Sequence, residues 1–450
     1  MSLMQTISQQ IEASRWPGYV YTYPHKKAYR LFEKLDMTSV WKEAPDKLNL
    51  YVHVPFCETR CTYCNLFLIP VGTKDQGGMQ DYTDMYVDAV IRQIESYRPL
   101  FNNPEIVSVY FGGGTPNYLS LKQLGRIVDR LKQVFPSWNS EIEPSIECLP
   151  YLLDEEYLRG LREMGFRRIS MGVQSLDHGD LRVMNRESDS ARILDIYRLA
   201  REAGLNTNVD IIYGLPGQNM EAMIKNLMTV ISLSPKSSTI NLYPLVVREL
   251  TGMEKIVPGG HVSGEEKYEL FHEACRILAE NGYQWESSVR FSLVGGNSTY
   301  KQQILEFEGV CTLGLGSGAR SYAPTVSYAQ PYKMRRGPTK GIIDAYIEAD
   351  FAEGIPFEAF FFGSDELKRR FIIYSFLLGT LDFSRYQGEF GETPEQSYPA
   401  EFEALGEYGL VEMKGDKLCL TDKGRRYHDI IVNVFESEEV KRLKDTFDLQ

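Results

Sequence analysis

"YVHVPFCETRCTYCNLF", residues 51–67, decides how this chain is read. The stretch opens at the end of "LNLYVHV" (48–54), a short apolar run with the composition of a buried strand. Three cysteines follow at once, Cys57, Cys61 and Cys64, and no fourth stands beside them. Zinc sites usually bring paired CxxC ligands, and disulfide frameworks bring even numbers of half-cystines. A [4Fe–4S] cluster is normally held by four thiolates, so three would leave one iron open. Catalytic metals are built in that way, with fixed protein ligands and a vacancy for substrate or cofactor. The competing reading is a zinc or redox-dithiol loop completed by a distant Cys148, Cys275, Cys311 or Cys419, none of which has paired CxxC spacing.

Outward from this loop the chain alternates. "QDYTDMYVDAVIRQIESYR" (80–98) predicts a helix with Tyr82, Met85 or Tyr86, Ala89 or Val90, and Ile94 on one face. "EIVSVYF" (105–111) predicts a strand, and Ser120 caps the helix that follows. Strands at "PSIEC", "RRISMGV", "TNVDIIYG" and "STINLYP" alternate with helices at 154–164, 188–203 and 220–233. About six β/α units result, which serial crossovers assemble into a doubly wound sheet or a barrel. In a parallel barrel functional groups gather at the C-terminal strand ends. The cysteines, "GGGTP" (112–116), Glu147, Gln174 and Asp210 all fall at or near such ends, which favours one shared site.

The expected organisation is an N-terminal segment at 1–47, a barrel core at 48–330, a connecting region at 331–364 and a C-terminal domain at 365–450. In the last, "DELKRRFIIYSFLLGTLDF" (365–383) predicts one helix. "PAEFEALGEYGLVEMKGDKLCLTDKGRRYHDIIVNVF" then reads as helix, hairpin turning at Gly415-Asp416, and helix, resembling a winged-helix module. A net charge of −12 argues against a broad nucleic-acid face, and acidic residues keep pace with basic ones in this module. The N-terminus lacks a basic and apolar secretory signal, and the run "FIIYSFLLG" is too short to span a bilayer. A cytoplasmic protein with reduced thiols and no membrane span is the expectation.

Three glycines after a buried strand let the backbone approach a ligand and offer it N–H and C=O groups. Glu147, inside an otherwise apolar strand, is costly to bury without a partner, which a cation or ribose hydroxyls would provide.

"CETRCTYC" resembles the CxxxCxxC signature of the radical S-adenosylmethionine (SAM) superfamily, and Tyr63 matches the aromatic residue before its third cysteine. "LYVHVPFC", "VYFGGGTP", "SIEC", "ISMGVQS", "NVDIIYGLPGQ" and "TDKGR" are similar to the oxygen-independent coproporphyrinogen III oxidase (HemN-like) family, from about Tyr21 to the C-terminal module. The resemblance implies an α/β fold: a partial (β/α)6 TIM-like radical SAM barrel with a C-terminal winged-helix-like helical domain. It implies a [4Fe–4S] cluster on Cys57, Cys61 and Cys64, with one or two SAM molecules. SAM would chelate the fourth iron, and the reduced cluster would cleave it to a 5′-deoxyadenosyl radical that abstracts hydrogen from a substrate carbon. Gly113, Gly114 and Thr115 would hold the methionine amino group. Tyr51, Tyr63, Glu147, Gln174, Arg186, Asp210 and Tyr243 would surround the rest of SAM. An electron donor such as flavodoxin or ferredoxin and a small-molecule substrate, a tetrapyrrole in the oxidases, are implied as partners, with a monomer expected.

Two departures matter. Leu66 stands where the oxidases carry a further cysteine, which leaves methylation or cyclopropanation of another substrate as the alternative to decarboxylation. "QQILEF" (302–307) stands where haem-chaperone relatives carry HNxxYW, which removes the histidine a haem-binding role would use. His25, Lys26, Lys27 and Arg30, interleaved with Tyr21, Tyr23 and Tyr29, are expected to close over the barrel mouth and meet substrate carboxylates.

Overall fold

The computed structural model describes residues 3–12, 20–73, 79–186, 189–248, 250–257 and 262–447. Its centre is a run of six β/α units. The strands are β1 (Lys47–Val54), β2 (Glu105–Gly113), β3 (Ser145–Cys148), β4 (Arg168–Gln174), β5 (Asn206–Tyr213) and β6 (Thr239–Pro244). The helices are α1 (Met79–Tyr97), α2 (Leu121–Val134), α3 (Glu155–Met164), α4 (Ser190–Glu202), α5 (Met220–Ile231) and α6 (Gly264–Glu280).

Each strand pairs in parallel with the one before it, so chain order is also sheet order. A seventh strand, β7 (Cys311–Leu315), joins the free side of β1, also in parallel. Parallel strands are covered on both faces: Leu48, Leu50, Val52 and Val54 bury one face of β1, and Asn49 and His53 are buried on the other. The helices are ordinary amphipathic covers. In α2, Ser120 and Gln123 form a reciprocal capping box, and Leu124, Ile127, Val128 and Leu131 bury one face. In α1, Tyr86, Ala89, Val90 and Ile94 point inward, whereas Met85, the alternative to Tyr86, is half exposed.

The sheet does not close on itself. Beyond β6 it continues into the hairpin Tyr283–Ser287 and Arg290–Leu293. Beyond β7 it turns antiparallel through β8 (Arg320–Tyr322), β9 (Val326–Ala329) and β10 (Phe357–Phe361). The short strand Arg30–Phe32 forms the outer edge on β10. The stretch 331–364 therefore supplies β10 to the main sheet and the helix Arg336–Glu348, whose Asp344 accepts from the Tyr82 hydroxyl of α1 at 2.7 Å.

The single helix expected over 365–383 is broken. α7 (Ser364–Leu377) stops at Gly379, which has φ +81° and lies so close to Trp285 that a Cβ there would stand 2.5 Å from the indole. Thr380–Asp382 then enters a small sheet with the hairpin Val411–Lys414 and Lys417–Leu420, which turns at Gly415. Helices Phe383–Phe390, Pro394–Ser397 and Pro399–Glu407, then Asp422–Arg426, His428–Val434 and the C-terminal helix Glu438–Asp445, complete this unit. Its core is continuous with the N-terminal segment, since Ile7, Tyr23, Ala28 and Tyr29 pack with Ile372, Phe376 and Phe435. Among the described residues no helix is long and apolar enough to cross a membrane.

Candidate active site at the strand ends

A cavity of about 1160 Å³ opens at the C-terminal ends of β1–β6. Tyr51, Cys57, Cys61, Tyr63, Cys64, Gly113, Gly114, Thr115, Glu147, Gln174, Arg186, Asp210 and Tyr243 all line it. The thirteen residues singled out from sequence thus meet at one place.

The cysteine loop leaves β1 through Pro55 and is pinned at several points. Phe56–Cys57 pairs with Ile69–Pro70, and Arg60 donates to the carbonyls of Cys64 (3.3 Å), Leu66 (3.2 Å) and Leu68. Thr62 N–H donates to Met184 O (3.1 Å) and its hydroxyl to Val183 O (2.9 Å), tying the loop to the turn that carries Arg186. The Tyr332 hydroxyl donates to Asn65 O. Burial pushes the Cys57 thiol up to about 12 and the Cys64 thiol up to about 11, so thiolates here require a cation or a metal. Among the described residues no three His, Cys, Asp or Glu side chains converge as they would on a single metal ion. The corners of an iron–sulfur cube lie farther apart than the ligands of one ion.

The glycine turn is needed for lack of room. Gly113 has φ +111° and lies over the His53 ring, where a Cβ would fall 2.7 Å from it. A Cβ on Gly114 would stand 2.7 Å from Phe56 O, and Gly114 N–H donates to Val54 O at 2.8 Å. The turn is thereby stitched to β1, and Thr115 Oγ1 ends 3.0 Å from Cys57 Sγ.

Glu147 and Asp210 form the floor. Glu147 accepts from the Tyr110 hydroxyl (2.9 Å) and from Gly113 N–H (3.2 Å). Burial first, then the Asp210 charge, raises its carboxyl to about 7. Asp210 accepts from Asn208 (2.7 Å), Asn241 (2.9 Å) and Ser170 (3.3 Å), and burial raises its pKa too. Gln174 ends β4 at φ +67°, beyond an irregularity between Gly172 and Gln174. A non-glycine residue in that region is uncommon and marks functional strain more often than a free turn. Tyr243 stands near Asn241, whose amide donates to its hydroxyl at 3.4 Å. Arg186 donates to Tyr63 OH (3.3 Å) and to Gly172 O, while its Nε has no partner.

The N-terminal segment lies where the mouth would be. Tyr21, His25, Lys26, Lys27 and Tyr29 line the cavity, facing Arg248, Arg320 and Glu358. Lys26 sits over the Tyr332 ring, and burial followed by the Arg320 charge drives its pKa well down. Arg30 and Tyr23 do not join them. Arg30 turns away to Leu443 O (3.0 Å) and Thr446 Oγ1 (2.8 Å), because its strand runs along the sheet edge beside the C-terminal helix. Tyr23 is buried against Glu366 of α7, to which its hydroxyl donates.

Several cavity residues escaped the sequence reading. Tyr110 stacks on Tyr51 at 6.2 Å, and His53 bridges Tyr51 OH (3.2 Å) and Phe67 O (2.9 Å). Their signal was available: Tyr51 and His53 alternate on one face of β1, and Tyr110 is the register partner of Tyr51. Arg320 gave less warning, as a lone basic residue after "GLGSGA". Both its terminal nitrogens donate to Tyr21 OH at 3.2 Å.

Residues 51–229 match the model of the radical SAM superfamily. The chain is 30% identical to an oxygen-independent coproporphyrinogen III oxidase of Escherichia coli over 394 residues, 84% of this chain and 83% of that one. It is 29% identical to the enzyme of the same description from Synechocystis, over 94% of this chain and 92% of that one. A haem chaperone, HemW, of Bacillus subtilis is 25% identical over 86% of this chain and 99% of its own length. Among solved structures, E. coli HemN, described as a radical SAM enzyme, superposes with a TM-score of 0.78 at 25% identity, covering 93% of this chain and 97% of that one.

Proposed function

Because this chain belongs to the oxygen-independent coproporphyrinogen III oxidase (HemN-like) family of the radical SAM superfamily, we propose that it is an enzyme whose Cys57, Cys61 and Cys64 hold a [4Fe–4S] cluster with one iron left for SAM. The observation that carries this reading is the meeting of three cysteines, a glycine turn and a buried acidic floor in one cavity. The residues fit the group. Arg186 Nη1 stands 3.7 Å from Cys61 Sγ, and this half-buried guanidinium forms no carboxylate ion pair among the described residues and suits an anionic neighbour. When bound, the reduced cluster and SAM supply a 5′-deoxyadenosyl radical able to take hydrogen from an unactivated carbon.

The protein's share is to position and to exclude water. Gly113, Gly114 and Thr115, which line the cavity, offer backbone and hydroxyl groups to the methionine amino group. Glu147 and Asp210 accept hydrogen bonds from ribose hydroxyls, and Tyr51, Tyr63, Gln174, Arg186 and Tyr243 complete the walls.

The substrate we propose is an organic carboxylate of the coproporphyrinogen type: hydrogen abstraction at a side-chain carbon leaves a radical that passes one electron to a one-electron acceptor as CO2 departs and an alkene forms. Lys26, Lys27, Arg248 and Arg320 around the mouth support it as partners for carboxylates. Leu66 lines the cavity in place of the further cysteine and supports the second reading, methyl transfer or cyclopropanation on a related substrate. The helix Gln302–Phe307 presents Gln302, Gln303 and Glu306 to the cavity and no histidine, which weighs against haem carriage. A flavodoxin or ferredoxin would supply the electron.

Anaerobic reconstitution with iron and sulfide, then dithionite and SAM, tests this reading. We expect cubane absorption and 5′-deoxyadenosine, both lost in Cys61→Ala. Tight haem uptake with no SAM cleavage would replace the enzyme by a carrier.

A further inference from the structure

The three thiols are served by three different donors. Cys57 Sγ lies 3.0 Å from Thr115 Oγ1, and Thr115 is only 1% exposed. Cys61 Sγ accepts from Arg186 Nη1 at 3.7 Å. Among the described residues Cys64 receives the backbone N–H of Leu66. A metal-bound thiolate can accept but not donate, so in the loaded protein the Thr115 hydroxyl must be the donor. Arg186 cannot easily swing elsewhere. It is held by Gly172 O and Tyr63 OH, with Thr62 clamping its turn to the cysteine loop.

Hydrogen bonds and positive charge at the sulfurs of an iron–sulfur cluster draw electron density from the metal and favour its reduced form. We propose that Thr115 and Arg186 are positioning residues that raise the reduction potential of the cluster by donating to the sulfurs of Cys57 and Cys61. Arg186, being charged, acts more strongly than the neutral Thr115 hydroxyl. The backbone amide at Cys64 is the weakest of the three donors, because it is neutral and belongs to the loop itself. This assignment rests on the cluster reading above and adds to it. It gives both residues a task in the protein before SAM arrives.

The test is an EPR-monitored redox titration of reconstituted protein without SAM, so that altered SAM binding has no bearing on the readout. Thr115→Val keeps the volume and removes the donor; Thr115→Ser restores the hydroxyl. We expect a midpoint shifted to more negative potential in Thr115→Val, returned to the parent value in Thr115→Ser. Arg186→Gln should shift further in the same direction, and Arg186→Lys should recover part of it. Equal potentials in the parent and Thr115→Val at equal iron content would overturn the proposal. Should Thr115→Val take up no cluster, resonance Raman spectra of the parent in H2O and D2O decide the matter. Deuteration must shift Fe–S(Cys) stretches in the parent, and unshifted bands overturn it. A parent protein that shows no cubane absorption at all would instead refute the underlying cluster reading.

Discussion

Replacing Glu147 by glutamine should make the cluster-free protein more stable at pH 8 and much less so at pH 5. Burial and the Asp210 charge raise the Glu147 carboxyl from 4.5 to about 7. Between those values the native state binds more protons than the unfolded chain, so stability falls as pH rises through the window. A shift of this size corresponds to about 3 kcal/mol of lost stability once the carboxylate is charged. Glutamine stays neutral throughout. With its carbonyl toward Gly113 N–H and its amide toward the Tyr110 hydroxyl, it reproduces the protonated acid. Relief of Asp210 acts in the same direction. Other carboxyls with raised values, such as Glu306 at about 8, titrate in both proteins and cancel in the difference. For a chain of this length the gain amounts to about 3 °C in Tm at pH 8. Differential scanning calorimetry at pH 5, 6.5 and 8 provides the measurement. A difference independent of pH, or a parent protein more stable than the variant at pH 8, would refute the argument.

Gly114→Ala should cost several kcal/mol (about 2 to 4) and lower iron uptake, because the new Cβ meets the Phe56 and Val54 carbonyls. Melting curves and iron assays check it, and a parent-like Tm would contradict it. Arg60→Ala frees the carbonyls of Cys64, Leu66 and Leu68. It should destabilise the fold by about 2 kcal/mol and hasten loss of iron to a chelator. Lys26→Ala should raise KM for a carboxylate substrate, whereas Arg30→Ala should lower Tm and leave KM alone, since only the former faces the cavity. Burial depresses His53 to about 4, so the native state binds fewer protons than the unfolded chain from there to about 6.5. Stability should therefore fall as pH drops across that interval, and less so in His53→Gln.

The six β/α units were legible because helical and strand periodicities alternate cleanly from Leu48 to Pro244, and because "CETRCTYC" and "GGGTP" are too unusual to be ordinary turns. Gln174 and Asp210 could be placed from their strands alone. What could not be read was anything decided by distant pairing. Nothing local marks Arg30–Phe32 as the edge of the same sheet as β1, since its partner lies more than 300 residues later. For the same reason Arg30 was grouped with Lys26, although one faces the C-terminal helix and the other the cavity. The break at Gly379 was hidden by the apolar run around it, and only Trp285, from another element, explains it.

The strap formed by residues 20–32 has a temporal consequence. Tyr23 is fastened to Glu366, its hydroxyl accepts from Ser437 N–H at 3.3 Å, and Arg30 is fastened to Leu443 and Thr446. Residues 20–32 thus find their docking partners more than 300 residues further along the chain. The N-terminal wall of the cavity therefore has nothing to dock on until the C-terminal unit has been made, and that side of the cysteine loop is the last to be covered.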